Sequence, residues 1–283
     1  MLSTDSAISR LRRDLILGLL VKVLLLAAVA AALVVLPLVA PQIHSGLAML
    51  AVGVVWLVLS YNSAKSSRIA ADAPALIGAG DYDEAERQIK EALWTFSLFR
   101  LVKLQTVHHL ALLRYAQKRF RDASVLCREV LSQRAGAAGM SLSKPTRLLL
   151  ADAMLELDDL RGAYDALSGL YGQRLSLAEV LKLMTAQLDY ESRVGAWDRM
   201  AHEIMTKVQL AELMPTPASA RTQALLALAA HKSGRPDFTE WLKRRAALLA
   251  EPASLVTQRP LLAELWPHGA VAASAPTPDA PQS

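Results

Sequence analysis

The chain has 283 residues, of which 53% are apolar, 20% charged and 5% aromatic, with a net charge of +5 and a mean hydropathy of +0.27. The apolar content excludes an intrinsically disordered chain, and a single cysteine, Cys127, excludes an intrachain disulfide framework. Few aromatic residues amid many Ala and Leu argue against a β-sandwich or barrel, so the expected fold class is all-α.

Residues 1–14 are basic, with Arg10, Arg12 and Arg13 close together. Residues 15–61 hold two apolar runs. The first, Leu15 to Leu36, is broken only by Lys22; the second runs from Gly46 to Tyr61, with Trp56 and Tyr61 towards its end. Pro37 and Pro41 lie between them, with a short polar turn at His44-Ser45-Gly46. A helix needs about 20 apolar residues to cross a bilayer core of roughly 30 Å. The pattern therefore predicts a transmembrane helical hairpin, with the second run near the short limit.

Basic residues flank the hairpin, Arg10, Arg12 and Arg13 before it and Lys65 and Arg68 after it, and the turn has none. The positive-inside rule then puts both termini in the cytoplasm. These five residues are the expected topology determinants of an integral protein of a bacterial inner membrane, with the lipid bilayer as one partner. Lys22 is expected to snorkel to the interface. A cleaved signal peptide is not expected, because the first run exceeds the usual apolar core and Pro41 directly follows Ala40.

Residues 62–73 form a linker or extend the second helix, and Pro74 suits the first turn of the next one. From there to residue 266 the chain shows amphipathic helices joined by short turns. Gly80-Asp81-Tyr82-Asp83-Glu84-Ala85 combines a helix stop, a capping Asp and a small residue, ahead of Ile89 and Ala92 on the same face. Comparable stretches surround Ala123, Ala163, Met200 and Phe238. The first four units are marked by Ala85, Ala123, Ala163 and Met200, which lie 38, 40 and 37 residues apart. Leu255 to Trp266 reads as a capping helix, and residues 267–283, rich in Ala and Pro, as a disordered tail.

This grammar resembles the tetratricopeptide repeat superfamily, whose units are helix–turn–helix pairs packed through small residues. The match covers most of residues 66–250 and weakens along the chain, with Met200 in place of the family's Ala. The resemblance implies an α-solenoid whose first helices line a concave groove for a peptide or helix of a partner protein. His108, Leu112, Tyr115, Asp152, Glu156, Asp189 and Arg193 are the candidates for that groove. Family members that clamp a C-terminal carboxylate use Asn side chains there. The only Asn in this chain is Asn62, outside the repeats, so that sub-type is excluded.

Sites for chemistry fail on spacing. His202-Glu203 lacks the second His four residues on that a zinc-protease helix needs, since position 206 is Thr206. His108 and His109 point about 100° apart on a helix. Gly78-Ala79-Gly80 follows no strand, and Asp81 and Asp83 lack the Gly of a calcium loop, Glu86 taking its place. Cys127 reads as a buried structural thiol. The densest basic spots, Arg119-Phe120-Arg121 and Lys243-Arg244-Arg245, are short and lack a base-stacking pattern. The expectation is a membrane-anchored, non-enzymatic adaptor for a protein partner. It has no catalytic residue, metal or cofactor, and takes no nucleic acid or small-molecule substrate. The alternative is a structural subunit of a larger membrane transport or envelope-assembly complex.

Overall fold

A computed structural model describes residues 2–35, 45–133 and 140–267. The predicted hairpin turn around Pro37 to His44, and all but the first residue of the predicted tail, lie outside the described residues. Among those described there are helices and no strands, in keeping with the expected all-α class. The chain divides into two compact units, Met1–Leu157 and Asp158–Ser283.

The first unit contains α1 (Thr4–Ala30), a π-helical turn at Ala31–Val35, α2 (Ser45–Ile69), α3 (Ala73–Ala79), α4 (Tyr82–Trp94), α5 (Arg100–Ala116), α6 (Phe120–Ser132) and α7 (Met140–Glu156). The second contains α8 (Leu160–Ser168), α9 (Leu177–Val194), α10 (Trp197–Ala201), α11 (Ile204–Glu212), α12 (Thr216–Lys232), α13 (Pro236–Leu249), α14 (Pro252–Gln258) and a 3-10 turn at Pro260–Glu264. The segment after residue 62 is thus helical as far as Ile69, and the predicted capping helix is a short α-helix followed by that 3-10 turn.

One junction recurs along both units. Gly80, Lys118, Asp158, Gly195 and Gly234 each adopt a positive φ, between 58° and 84°. Each is followed by one non-helical capping residue, with ψ between 55° and 78°, and then by a new helix, at Tyr82, Phe120, Leu160, Trp197 and Pro236. At four of them the next backbone N–H reaches back across the turn, Asp81 to Leu76, Arg119 to Arg114, Ala196 to Glu191 and Arg235 to Ala230. That bond satisfies a carbonyl the ending helix would leave orphaned. Asp81 and Asp159 add side-chain caps, accepting from the N–H groups of Glu84 and Gly162. Four residues past each cap start, Ala85, Ala123, Ala163, Met200 and Thr239 are all buried.

Glycine supplies three of these left-handed positions at no steric cost. At Lys118 and Asp158 a side chain occupies the same conformation, which costs about 1–2 kcal/mol. At Lys118 the flanking helices α5 and α6 pack on each other and hold the turn.

The predicted membrane hairpin is corrected by the structure. Among the described residues, no helix is long and apolar enough to cross a membrane. The transmembrane hairpin and the integral-membrane location drawn from the apolar runs are therefore not upheld. The physical reason is visible in α1. It carries Arg12, Arg13, Asp14 and Lys22, and its N-terminal half is packed into the protein, with Ala7, Leu11, Asp14 and Gly18 buried. The second apolar run leads into Asn62, Ser63 and Lys65 within the same helix, and Ser63 is buried, its hydroxyl accepting from the Leu98 N–H at 2.8 Å. Beyond those anchors, Leu19, Leu24, Leu26, Leu50, Trp56 and Leu57 remain exposed.

Candidate functional site

Residues 10–14, expected to be a cytoplasmic flank, are instead a packing element. Arg10 lies over the Trp94 ring at 5.0 Å and donates to the Trp94 carbonyl. Arg12 forks onto Glu129 of α6, Nε to Oε1 at 2.9 Å and Nη2 to Oε2 at 2.7 Å. Those hydrogen bonds hold the Glu129 carboxyl below its ordinary range, against the opposing effect of its partial burial. Arg13, Lys65 and Arg68 are exposed, and Arg68 lies in the last turn of α2, where a cation complements the helix dipole.

Asp14 and Lys103 form the centre of the first unit. Asp14 Oδ2 is 2.8 Å from Lys103 Nζ, and both side chains are almost fully buried. Lys103 also donates to the carbonyls of Leu93 and Thr95, each at 2.6 Å, at the end of α4. Burial lowers the Lys103 pKa, and the Asp14 carboxylate opposes that shift. A second buried cation, Arg114, bonds Glu86, Gln117 and the Leu2 carbonyl, while Glu86 accepts from the Leu2 N–H. Burial raises the Glu86 carboxyl, but Arg114, the Leu2 N–H and the chain's amino group outweigh it, leaving the pKa low. Sequence reading missed these pairs. The available signal was an acid, Asp14, four residues after Arg10 inside a basic flank.

The predicted groove residues fall in two settings. On α5, His108 is half-buried and shares a 3.1 Å hydrogen bond with Thr146 of α7, so it bridges two first helices. Leu112 is half-buried, and Tyr115 meets Phe120 edge-on, ring centroids 5.3 Å apart. Asp152 and Glu156 lie half-buried on α7, and each is engaged in a polar contact. In the second unit, Asp189 is buried, paired with Arg259 at 2.7 Å and with Arg193 at 3.7 Å, and Arg193 also reaches Asp158 at 3.4 Å. Those two candidates thus form an internal network that ties α9 to Arg259, between α14 and the 3-10 turn.

His109 is buried and its pKa is lowered, chiefly by burial against a hydrogen bond with the Ala70 backbone. Its ring centroid is 6.2 Å from that of His108, and no group of side chains suited to a metal occurs among the described residues. Burial pushes the Cys127 thiol up to about 12, which makes it inert as a nucleophile. Glu203 adopts φ 50° and interrupts the chain between α10 and α11, so His202 and Glu203 share no continuous helix. Of the basic spots, Arg119 pairs with Asp122, and Arg245 stacks on Trp241 and pairs with Glu212.

Several of the site's charged groups fix helices to one another, Asp14 to Lys103 and Asp189 to Arg259. No protein-family model, no curated protein and no solved structure matches this chain.

Proposed function

We propose that this chain is a non-catalytic scaffold of tetratricopeptide-like helix pairs, whose first helices present a binding face to a protein partner. The observation that carries this reading is the junction repeated at Gly80, Lys118, Asp158, Gly195 and Gly234. It marks one helix–turn–helix unit roughly every 40 residues, the period of stacked helical repeats. Within the first unit, the first helices α3, α5 and α7 neighbour one another in turn, as do α9 and α12 within the second. Repeats stacked in this way bury a continuous core and leave the first helices as a shared surface. Tyr115, steadied by Phe120, supplies the rigid aromatic anchor that interfaces favour.

The test is a photo-crosslinking amino acid placed singly at Leu112, Tyr115 and Glu156, and as controls at Val125 and Arg128 on α6, in living cells of the native host. A defined polypeptide adduct is expected from the first set alone. Tyr115→Ala should reduce that adduct about tenfold or more, in the range of an aromatic hot spot. Equal labelling from both sets refutes the reading.

A further inference from the structure

Two cavities of the first unit share one wall residue, Lys22. The first, of about 320 Å³, has mixed walls: Asp14, Ser97, Arg100 and Gln133 line it with Lys22, beside leucine and isoleucine side chains of α1. The second, of about 400 Å³, lies between α1 and α2, and beyond Lys22 its walls are apolar, including Leu25, Val29, Met49, Val52, Gly53 and Trp56. Ligand pockets have this size and this make-up, a mostly apolar wall with a few placed polar groups.

The charge at the polar end is unbalanced in one direction. Asp14 is neutralised by Lys103 at 2.8 Å and Arg10 at 3.4 Å, so it does not repel an anion. Lys22 is half-buried and forms no ion pair among the described residues. Arg100 donates through Nη2 to Gln133 at 3.2 Å, while its Nε is buried with no hydrogen-bond acceptor. A buried donor left unpaired is costly, and an arginine fork suits a carboxylate. Cations with unspent donors therefore stand at the mouth of an apolar cleft.

We propose that the α1–α2 cleft binds a free medium-chain fatty acid, its carboxylate between Lys22 and Arg100 and its acyl chain running from Leu25 and Trp56 past Val29 and Val52 to Met49. The volume suits one chain, lying towards the small end of ligand cavities. Gly53 leaves its part of the cleft open: a Cβ there would meet nothing within 4 Å. The site is separate from the partner-binding face, so either reading can fail alone.

The test is calorimetric titration of the full chain with saturated fatty acids of eight to fourteen carbons, each below its micelle concentration. One equivalent is expected to bind, with affinity rising roughly fourfold per methylene until the cleft is filled. Dodecanol should bind at least about tenfold more weakly than dodecanoate, since it lacks the charge-assisted bonds. Lys22→Met should shrink that difference and Lys22→Met with Arg100→Met should erase it, Lys22→Arg should keep it, and Gly53→Phe should weaken both ligands with helical content unchanged by circular dichroism. Equal affinity for acid and alcohol in the parent chain overturns the proposal. So does an acid preference that survives the double variant, or uptake that continues past one equivalent.

Discussion

The first unit closes around α5, which buries Lys103 and Arg114, whereas the second closes around α12, where Ala220, Ala224 and the run Leu225 to Ala230 are all buried. A helix apolar on every side gains from any neighbour it meets, so its stability comes from area and fit. A buried cation tolerates one arrangement, the one that brings its carboxylate. Asp14 on α1 and Glu86 on α4 meet this need, and they also fix where α1 and the Leu2 backbone dock. The comparison teaches that nearly interchangeable helices can be told apart by a few buried pairs, a role such pairs fill even where their net stabilisation is small.

The sharpest way to break the first unit is Asp14→Ala. It leaves Lys103 charged and unpaired in the interior, and should cost about 3–5 kcal/mol in denaturant unfolding. The double variant Asp14→Leu with Lys103→Met should recover most of that loss, because no lone charge remains. A double variant as unstable as the single one would mean that the contact matters for shape and not for charge. In the second unit the matching damage is a void. Leu226→Ala, at a fully buried position, should cost about 2–5 kcal/mol, and no single charge substitution on α12's buried face has a pair to break.

The junctions provide a finer comparison. Gly195→Ala forces a side chain into φ 73° beside the Trp197 indole and should lower stability by about 1–2 kcal/mol. Lys118→Gly relieves the same strain and should raise stability by less than about 1 kcal/mol, since glycine's extra unfolded-state entropy offsets part of the gain. Thermal melts of the two variants should move in opposite directions.

The smallest effect concerns the fork between Arg12 and Glu129. A carboxyl whose pKa is lower when folded contributes stability above its unfolded value, near 4.5, and loses it as pH falls through the folded value. Arg12→Ala should therefore melt below the parent at pH 6 and match it at pH 2. A gap that persists unchanged in acid would show that the lost contact is packing of the arginine stem.

Much of the local architecture is legible in the sequence. Gly80-Asp81 and Gly195 announce their turns through residue chemistry, and Ala85, Ala123 and Ala163 mark where helices approach, because these are short-range properties of the backbone. The turns at Lys118 and Asp158 carry the same geometry without the glycine signal. Among the groove candidates, Leu112 and Tyr115 lie on the first-helix face, while Asp189 is drawn inward by Arg259, a partner 70 residues away in the chain. Helical periodicity cannot anticipate that pairing.

The sequence by itself determined the all-α class, the turns at Gly80 and Gly195, and that residues 15–61 are rich in apolar side chains. What those apolar helices are was decided by tertiary structure. Asp14, the acid just before the first run, is committed to Lys103, and Ser63, just past the second, is committed to Leu98. Both helices are thereby anchored in the helical unit, with a cleft between them that ends at Lys22. Hydropathy counts residues along the chain, whereas a buried charge is accounted for only by the partner that folding brings to it.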